Sequence, residues 1–196
     1  MLYGTIREIT NIKACPSKIP IRSVLAKNFP IDYEIPLTEV LDRFGYINAL
    51  FCLRIRPEGF RFLLRFAYSC VISIVPMEFL GPPMSVIRQA LPVLQHAGKG
   101  EFDTEKAHEL ANKLKTPNIH SRGKCREDTF HEAIYCLLCA TYAHKYLGTA
   151  TDFAMGACTT LIDADILSEA MQESILRAQL LEHTEKDDEV ENDEEA

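Results

Sequence analysis

Cys136 and Cys139 form a Cys-x-x-Cys spacing, with His131, His144 and Cys125 near them in the chain. Zinc chemistry needs four ligands in a tetrahedral array, usually thiolates and imidazoles. The strong form of that signal is two such pairs at finger-like spacing. Here there is one pair, inside the apolar run "IYCLLCA". Two cysteines one helical turn apart in such a run read as reduced thiols facing a core, with a metal site at Cys136, Cys139 and His131 as the alternative. A redox use would require a strand before the motif and a βαβ setting, and the surrounding pattern is helical. Cys–His nucleophilic chemistry needs one cysteine beside a histidine and an orienting carboxylate. His131, His144 and Asp152 are available, but several cysteines qualify equally and none is singled out. The pair His131-Glu132 begins an H-E-x-x-H pattern that fails at Tyr135, and no G-x-S-x-G, P-loop or G-x-G-x-x-G occurs. The residues therefore predict no catalytic site, no cofactor and no enzyme.

Cations offer a second kind of chemistry. Arg54, Arg56, Arg61 and Arg65 surround a Pro-Glu-Gly break, and Arg61 and Arg65 lie one turn apart on a predicted helix. They could line an acidic-partner surface. The plainer account has their stems covering apolar helix and their heads pairing with Glu39, Asp42 or Glu58. The segment from Asn118 to Arg126 is the clearest loop and carries His120, Arg122, Lys124 and Arg126. Exposed loops carry binding function disproportionately, although a simply solvated loop reads the same way. No aromatic residue interleaves these charges, so the loop makes a poor nucleic-acid platform. The candidate partner-binding residues are thus His120, Arg122, Lys124, Arg126, Arg61 and Arg65.

The elements that must position these residues are helices. Leu37 to Phe44 is apolar on one face and ends at Gly45, placed as the residue that closes a helix. A second helix is expected over Ile47 to Arg54 and a third over Phe60 to Val75, with Phe60, Leu63, Leu64, Ala67, Val71 and Ile74 inward. Pro83 suits the first turn of a fourth helix running to Ala97, which Pro92 should bend or split. Asp103 or Thr104 caps a fifth, Glu105 to Lys115. A sixth spans Glu127 to Tyr146, a seventh Asp152 to Leu161 and an eighth Ala164 to Glu182. The first 35 residues alternate weakly, are broken by Pro16, Pro20 and Pro30, and read as one or two short strands with extended chain. No tandem repeat is present.

The 196 residues carry a net charge of −7 and are 47% hydrophobic with no tryptophan. The charge is concentrated at one end. From Glu182 to Ala196 there are nine acids and one lysine, so the remainder holds 20 basic residues against 19 acidic ones. That body argues for neither nucleic acid nor a membrane surface. The acidic run is too charged to bury and is expected to be disordered. The strongest apolar run, Phe66 to Val75, is half of what a membrane span needs. Arg7, Glu8 and Lys13 interrupt the first 20 residues, so no secretory leader is expected. Of seven cysteines, an odd number, Cys136, Cys139 and Cys158 sit in helical patterns, which suits reduced thiols in a cytoplasmic setting better than a disulfide scaffold.

The stretches "IPLTEVLDRFGYINALFCLRI" (35–55), "RFLLRFAYSCV" (61–71) and "VIRQALPVLQHAGKGEFDTEKAHELA" (86–111) together resemble an α-helical immunity-protein family of bacterial polymorphic-toxin loci and phage genomes. The resemblance covers about three quarters of the chain. Two parts depart from the family: the varied segment "TFHEAIYCLLCATYAHKYLGTATDFAMGAC" and the first 35 residues. It implies an all-α, single-domain bundle of about eight helices with a short irregular or β-containing N-terminal extension. The parts would be residues 1–35, a helical domain 36–182 and an acidic tail 183–196. The implied function is non-enzymatic: binding and neutralising a partner protein, a toxin or a defence component. A phage-encoded inhibitor of a host defence complex, a small Cys/His metal-binding protein and a self-assembling homo-oligomer are the alternatives.

Overall fold

A computed structural model describes residues 3–11, 27, 29–53, 56–74, 85–114 and 126–194, with the backbone alone at 3, 10–11, 85, 126–127 and 183–194. The architecture is an all-α bundle with a small two-stranded sheet near the N-terminus. The chain divides into two compact units, one of residues Met1–Gly59 with Leu176–Ala196, the other Phe60–Ile175. This grouping differs from the three parts drawn from composition, because leader and acidic segment fall in one unit with the first helices of the body.

In the first unit, β1 (Tyr3–Thr5) pairs antiparallel with β2 (Glu34–Pro36), Gly4 opposite Ile35. The strands expected in the leader are thus present. Between them lies a helix the sequence reading lacked, α1 (Ile6–Asn11). Its start is a capping box: the Glu8 N–H donates to Thr5 Oγ1 at 3.1 Å, and the Thr5 N–H donates to Glu8 Oε2 at 2.8 Å. The next free N–H groups are also satisfied, Ile6 donating to the Tyr33 carbonyl and Arg7 to that of Ile31. Ile6 and Ile9 are buried, as are Ile35, Val40, Leu41, Tyr46, Ala49 and Leu50. The last five come from α2 (Leu37–Phe44) and α3 (Tyr46–Cys52). Gly45 closes α2 at φ 84°, its N–H on the Leu41 carbonyl, a conformation that favours glycine.

The Pro-Glu-Gly stretch starts a helix where a break was expected: α4 is Pro57–Ile72. Proline fits a first helical turn because its missing N–H would be unpaired there anyway. Gly59 is required by close approach, since a methyl there would lie 2.4 Å from the Leu53 carbonyl oxygen.

The second unit takes the rest of α4, then α5 (Ser85–Gly98), α6 (Thr104–Leu114), α7 (Arg126–Tyr142) and α8 (Leu147–Asp163). α5 runs through Pro92 without a split. Pro92 and Arg88, whose carbonyl loses its partner, are both exposed, so water can take up the lost hydrogen bond. Asp103 is the cap of α6, its Oδ1 accepting the Lys106 N–H at 2.9 Å. α7 and α8 pack most extensively. Ala133, Ile134, Leu137 and Ala140 are buried on one, Ala150, Ala154, Ala157, Cys158 and Leu161 on the other, and small residues let the backbones approach closely.

α9 (Glu169–Glu194) starts later than expected, after Ser168 accepts the Met171 N–H. Gln172, fully buried, donates to the Cys158 and Leu167 carbonyls, so its amide is satisfied inside the core. The helix continues to Glu194, through the run whose composition suggested disorder. Glu and Lys are good helix formers, which favours a helical backbone there.

Candidate protein-binding surface

The thiols are placed as packing residues. Cys70 and Cys158 are buried, and a hydrogen bond between them together with burial pushes the Cys70 thiol well above its ordinary range. Burial pushes Cys52 up to about 12. A thiol so displaced is not ionised near neutrality and is a poor nucleophile or ligand. Cys136, Cys139 and His131 lie half-buried along α7. Among the described residues no three His, Cys, Asp or Glu side chains are grouped so that they could hold a metal ion. Cys-x-x-Cys is explained by packing: a methyl added at Gly156 of α8 would lie 3.8 Å from Cys136 Sγ. Tyr135 is raised by a hydrogen bond with Cys139 one turn on, and by burial.

Of the predicted partner-binding residues, His120, Arg122 and Lys124 lie outside the described residues, and Arg126 begins α7 with its side chain likewise outside. Arg61 and Arg65 are seen clearly, on α4. The end of α5 sits against them. Glu101 N–H donates to the His96 carbonyl and Gly100 N–H to that of Ala97, the paired bonds of a Schellman closure, with Gly100 at φ 91°. A methyl at Gly98 would lie 3.3 Å from the Arg65 Cα, and one at Gly100 3.3 Å from Arg61 Nε. Glycines at 98 and 100 let the end of α5 come this close to both arginines. The Arg65 guanidinium lies over the Phe62 ring at 5.2 Å. Neither arginine pairs with a carboxylate among the described residues.

The surface continues through rings. Phe102 follows the glycine turn and stacks on Phe60, the neighbour of Arg61, at 6.2 Å, and on His144 at 4.4 Å and 6°. His144 lies in the short connection between α7 and α8, where the Tyr146 N–H donates to the Ala143 carbonyl at 2.7 Å. Two tyrosines flank it. Tyr146 is 75% exposed, and Tyr142 is 52% exposed while stacked on His108 of α6 at 4.6 Å. Lys145, between them, is exposed. Two acids lie in the same segment: Glu101 faces His96 at 3.6 Å, and Asp103 caps α6. These rings and cations all lie within Phe60–Ile175.

Tyr142, Tyr146, His108 and Phe102 were not singled out from sequence, and His144 only as a partner for a cysteine. The signal was present in "TYAHKYLG", but a helix drawn through Tyr146 hides a turn that lifts that ring away from the core. Compared with family models, curated proteins and solved structures, the chain matches none.

Proposed function

We propose that this chain is a non-enzymatic protein-binding module of the immunity type, which binds a partner protein, a toxin or defence component, and neutralises it by occlusion. The observation that supports this most is a pair of exposed tyrosines, Tyr142 stacked on His108 and Tyr146 two residues after His144, which stacks on Phe102. Tyrosine and arginine are the residues that most often anchor interfaces, because they bring large contact area and directed hydrogen bonds. Pre-stacking on His108 lowers the ordering entropy that Tyr142 loses on binding. The mechanism is steric: a rigid helical face covers the partner's working surface.

The test is affinity capture from the native host with the intact chain and with a Tyr142→Ala/Tyr146→Ala double variant. The expected result is one stoichiometric protein partner bound by the intact chain, weakened on the order of thirtyfold by the double change, which is the loss of about 2 kcal/mol typical of an anchor. Capture that is indifferent to both tyrosines, from a variant whose thermal unfolding is unchanged, would remove the reading.

A further inference from the structure

We infer that Cys70 and Cys158 form a redox-responsive pair, which closes into a disulfide between α4 and α8 on exchange with a low-molecular-weight disulfide. The inference is independent of the partner-binding reading and starts from placement. Both are free thiols, at 0% and 1% exposure, both lie within Phe60–Ile175, and they are hydrogen-bonded to each other. They come from two helices distant in the chain, so the fold alone brings them together. The other described thiols are placed differently. Burial alone displaces Cys52, and Cys136 and Cys139 share α7, so a bond between those two joins no separate elements. A disulfide holds its sulfurs about 2.05 Å apart, a short movement for thiols already in hydrogen-bond contact. The buried residues one turn before them are Ala67 and Ala154, small side chains that obstruct such a rotation least.

Access decides which thiol reacts first. Cys70 lies in the last turn of α4, which ends at Ile72, and both Ile72 and Ser73 are exposed. That turn is held by the Ser73 N–H on the Ser69 carbonyl at 3.1 Å and by Ser73 Oγ donating to the Cys70 carbonyl at 2.8 Å. Helix ends open at lower cost than helix interiors, so Cys70 is the entry point and Cys158, inside α8, the resolving thiol. While the turn is closed, burial keeps the Cys70 thiol protonated and exchange waits. When it opens, Cys70 gives its proton to water and its thiolate attacks one sulfur of the small disulfide RSSR, releasing RS⁻ and leaving a mixed disulfide. Cys158 then loses its proton and attacks the Cys70 sulfur. The Cys70–Cys158 bond forms and a second RS⁻ leaves. The two thiolates take up the two protons, so the chain is oxidised by two electrons and RSSR is reduced to two RSH. The product ties α4 to α8 and removes freedom from the unfolded chain.

The experiment incubates the full chain with oxidised glutathione, in buffer and in urea below the unfolding transition, and maps the linkages by mass spectrometry of a non-reduced digest. The expected product is a Cys70–Cys158 link, formed faster in the urea and reversed by dithiothreitol. Chemical denaturation should show a folding equilibrium constant about a hundredfold higher for the linked chain than for the reduced one. Cys158→Ala should stop at the glutathione adduct of Cys70. Failure of the link to form even in the urea would overturn the inference, as would a main product joining either cysteine to a different one. A Cys70–Cys158 link that leaves the denaturation midpoint unmoved, or lowers it, would also overturn it, because the closed fold would not then accept the bond. Capture of a partner by the reduced chain is a separate measurement, so the binding reading stands or falls apart from these outcomes.

Discussion

The two units of this chain treat their arginines in opposite ways. In the first, every arginine with a described side chain meets a carboxylate: Arg7 with Asp32 at 2.7 Å, Arg43 with Glu39 at 3.1 Å, Arg56 with Glu8 at 3.0 Å and Arg177 with Asp42 at 2.6 Å. In the second, Arg61, Arg65 and Arg88 meet none among the described residues. The Arg56–Glu8 pair shows what pairing does. Both guanidinium contacts and the Thr5 capping bonds converge on one carboxylate, and the Arg56 hydrogen bonds lead in holding Glu8 down to about 2. That joins the leader helix to the start of α4. Paired charges there fasten chain segments of the same unit, whereas those of Arg61, Arg65 and Arg88 fasten none by a carboxylate among the described residues.

The largest expected effect tests the fastening side. Gly59→Ala forces a methyl to 2.4 Å from the Leu53 carbonyl, a backbone atom that cannot step aside, and should cost about 3 kcal/mol in chemical denaturation. An unchanged midpoint would mean the close approach of α3 and α4 is not required.

Next comes the surface itself. Gly100→Ala places a methyl 3.3 Å from Arg61 Nε at a backbone angle of +91°, so it should cost about 1 kcal/mol and displace Arg61. Partner binding should fall with it. If binding survives while stability drops, the turn shapes the fold and not the face.

Glu8→Gln sharpens the contrast through pH. The glutamine keeps an acceptor for the α1 cap but loses the charge that Arg56 reads. The carboxyl is lowered in the folded protein from 4.5 to about 2, so its stabilisation is complete above 4.5 and disappears as pH falls toward 2. The variant should therefore lose about 1 kcal/mol at neutral pH, a value discounted for the partial exposure of both partners. Wild type and variant should converge as the pH is lowered through that window. Parallel pH curves would show that the pair contributes nothing.

The smallest effect belongs to Arg61→Ala, which should alter stability by less than about 0.5 kcal/mol because it leaves no carboxylate unpaired among the described residues. A larger loss would reveal that this arginine fastens the fold as those of the first unit do.

Much of the architecture was written in local pattern. Gly45, the apolar stripe of α2, the Asp103 cap and the inward residues of α4 and α6 could all be read because each obeys a rule confined to a few residues. The capping box Thr5-x-x-Glu8 obeys such a rule as well, and the β-branched run around it concealed α1. Other features have no local signature. That Arg56 meets Glu8, forty-eight positions away, depends on β1 pairing with β2. That Gly98 lies against Arg65 and Gly100 against Arg61 depends on α5 ending against α4. Phe102 and His144 share a stack because a loop and a turn distant in sequence meet. Periodicity by itself determined that this chain is helical and which faces turn inward, since burial of an apolar stripe is repaid wherever the helix docks. Which charges are paired and which are left at the surface was decided only by tertiary structure, because electrostatic partners are chosen by distance in space and not by spacing along the chain.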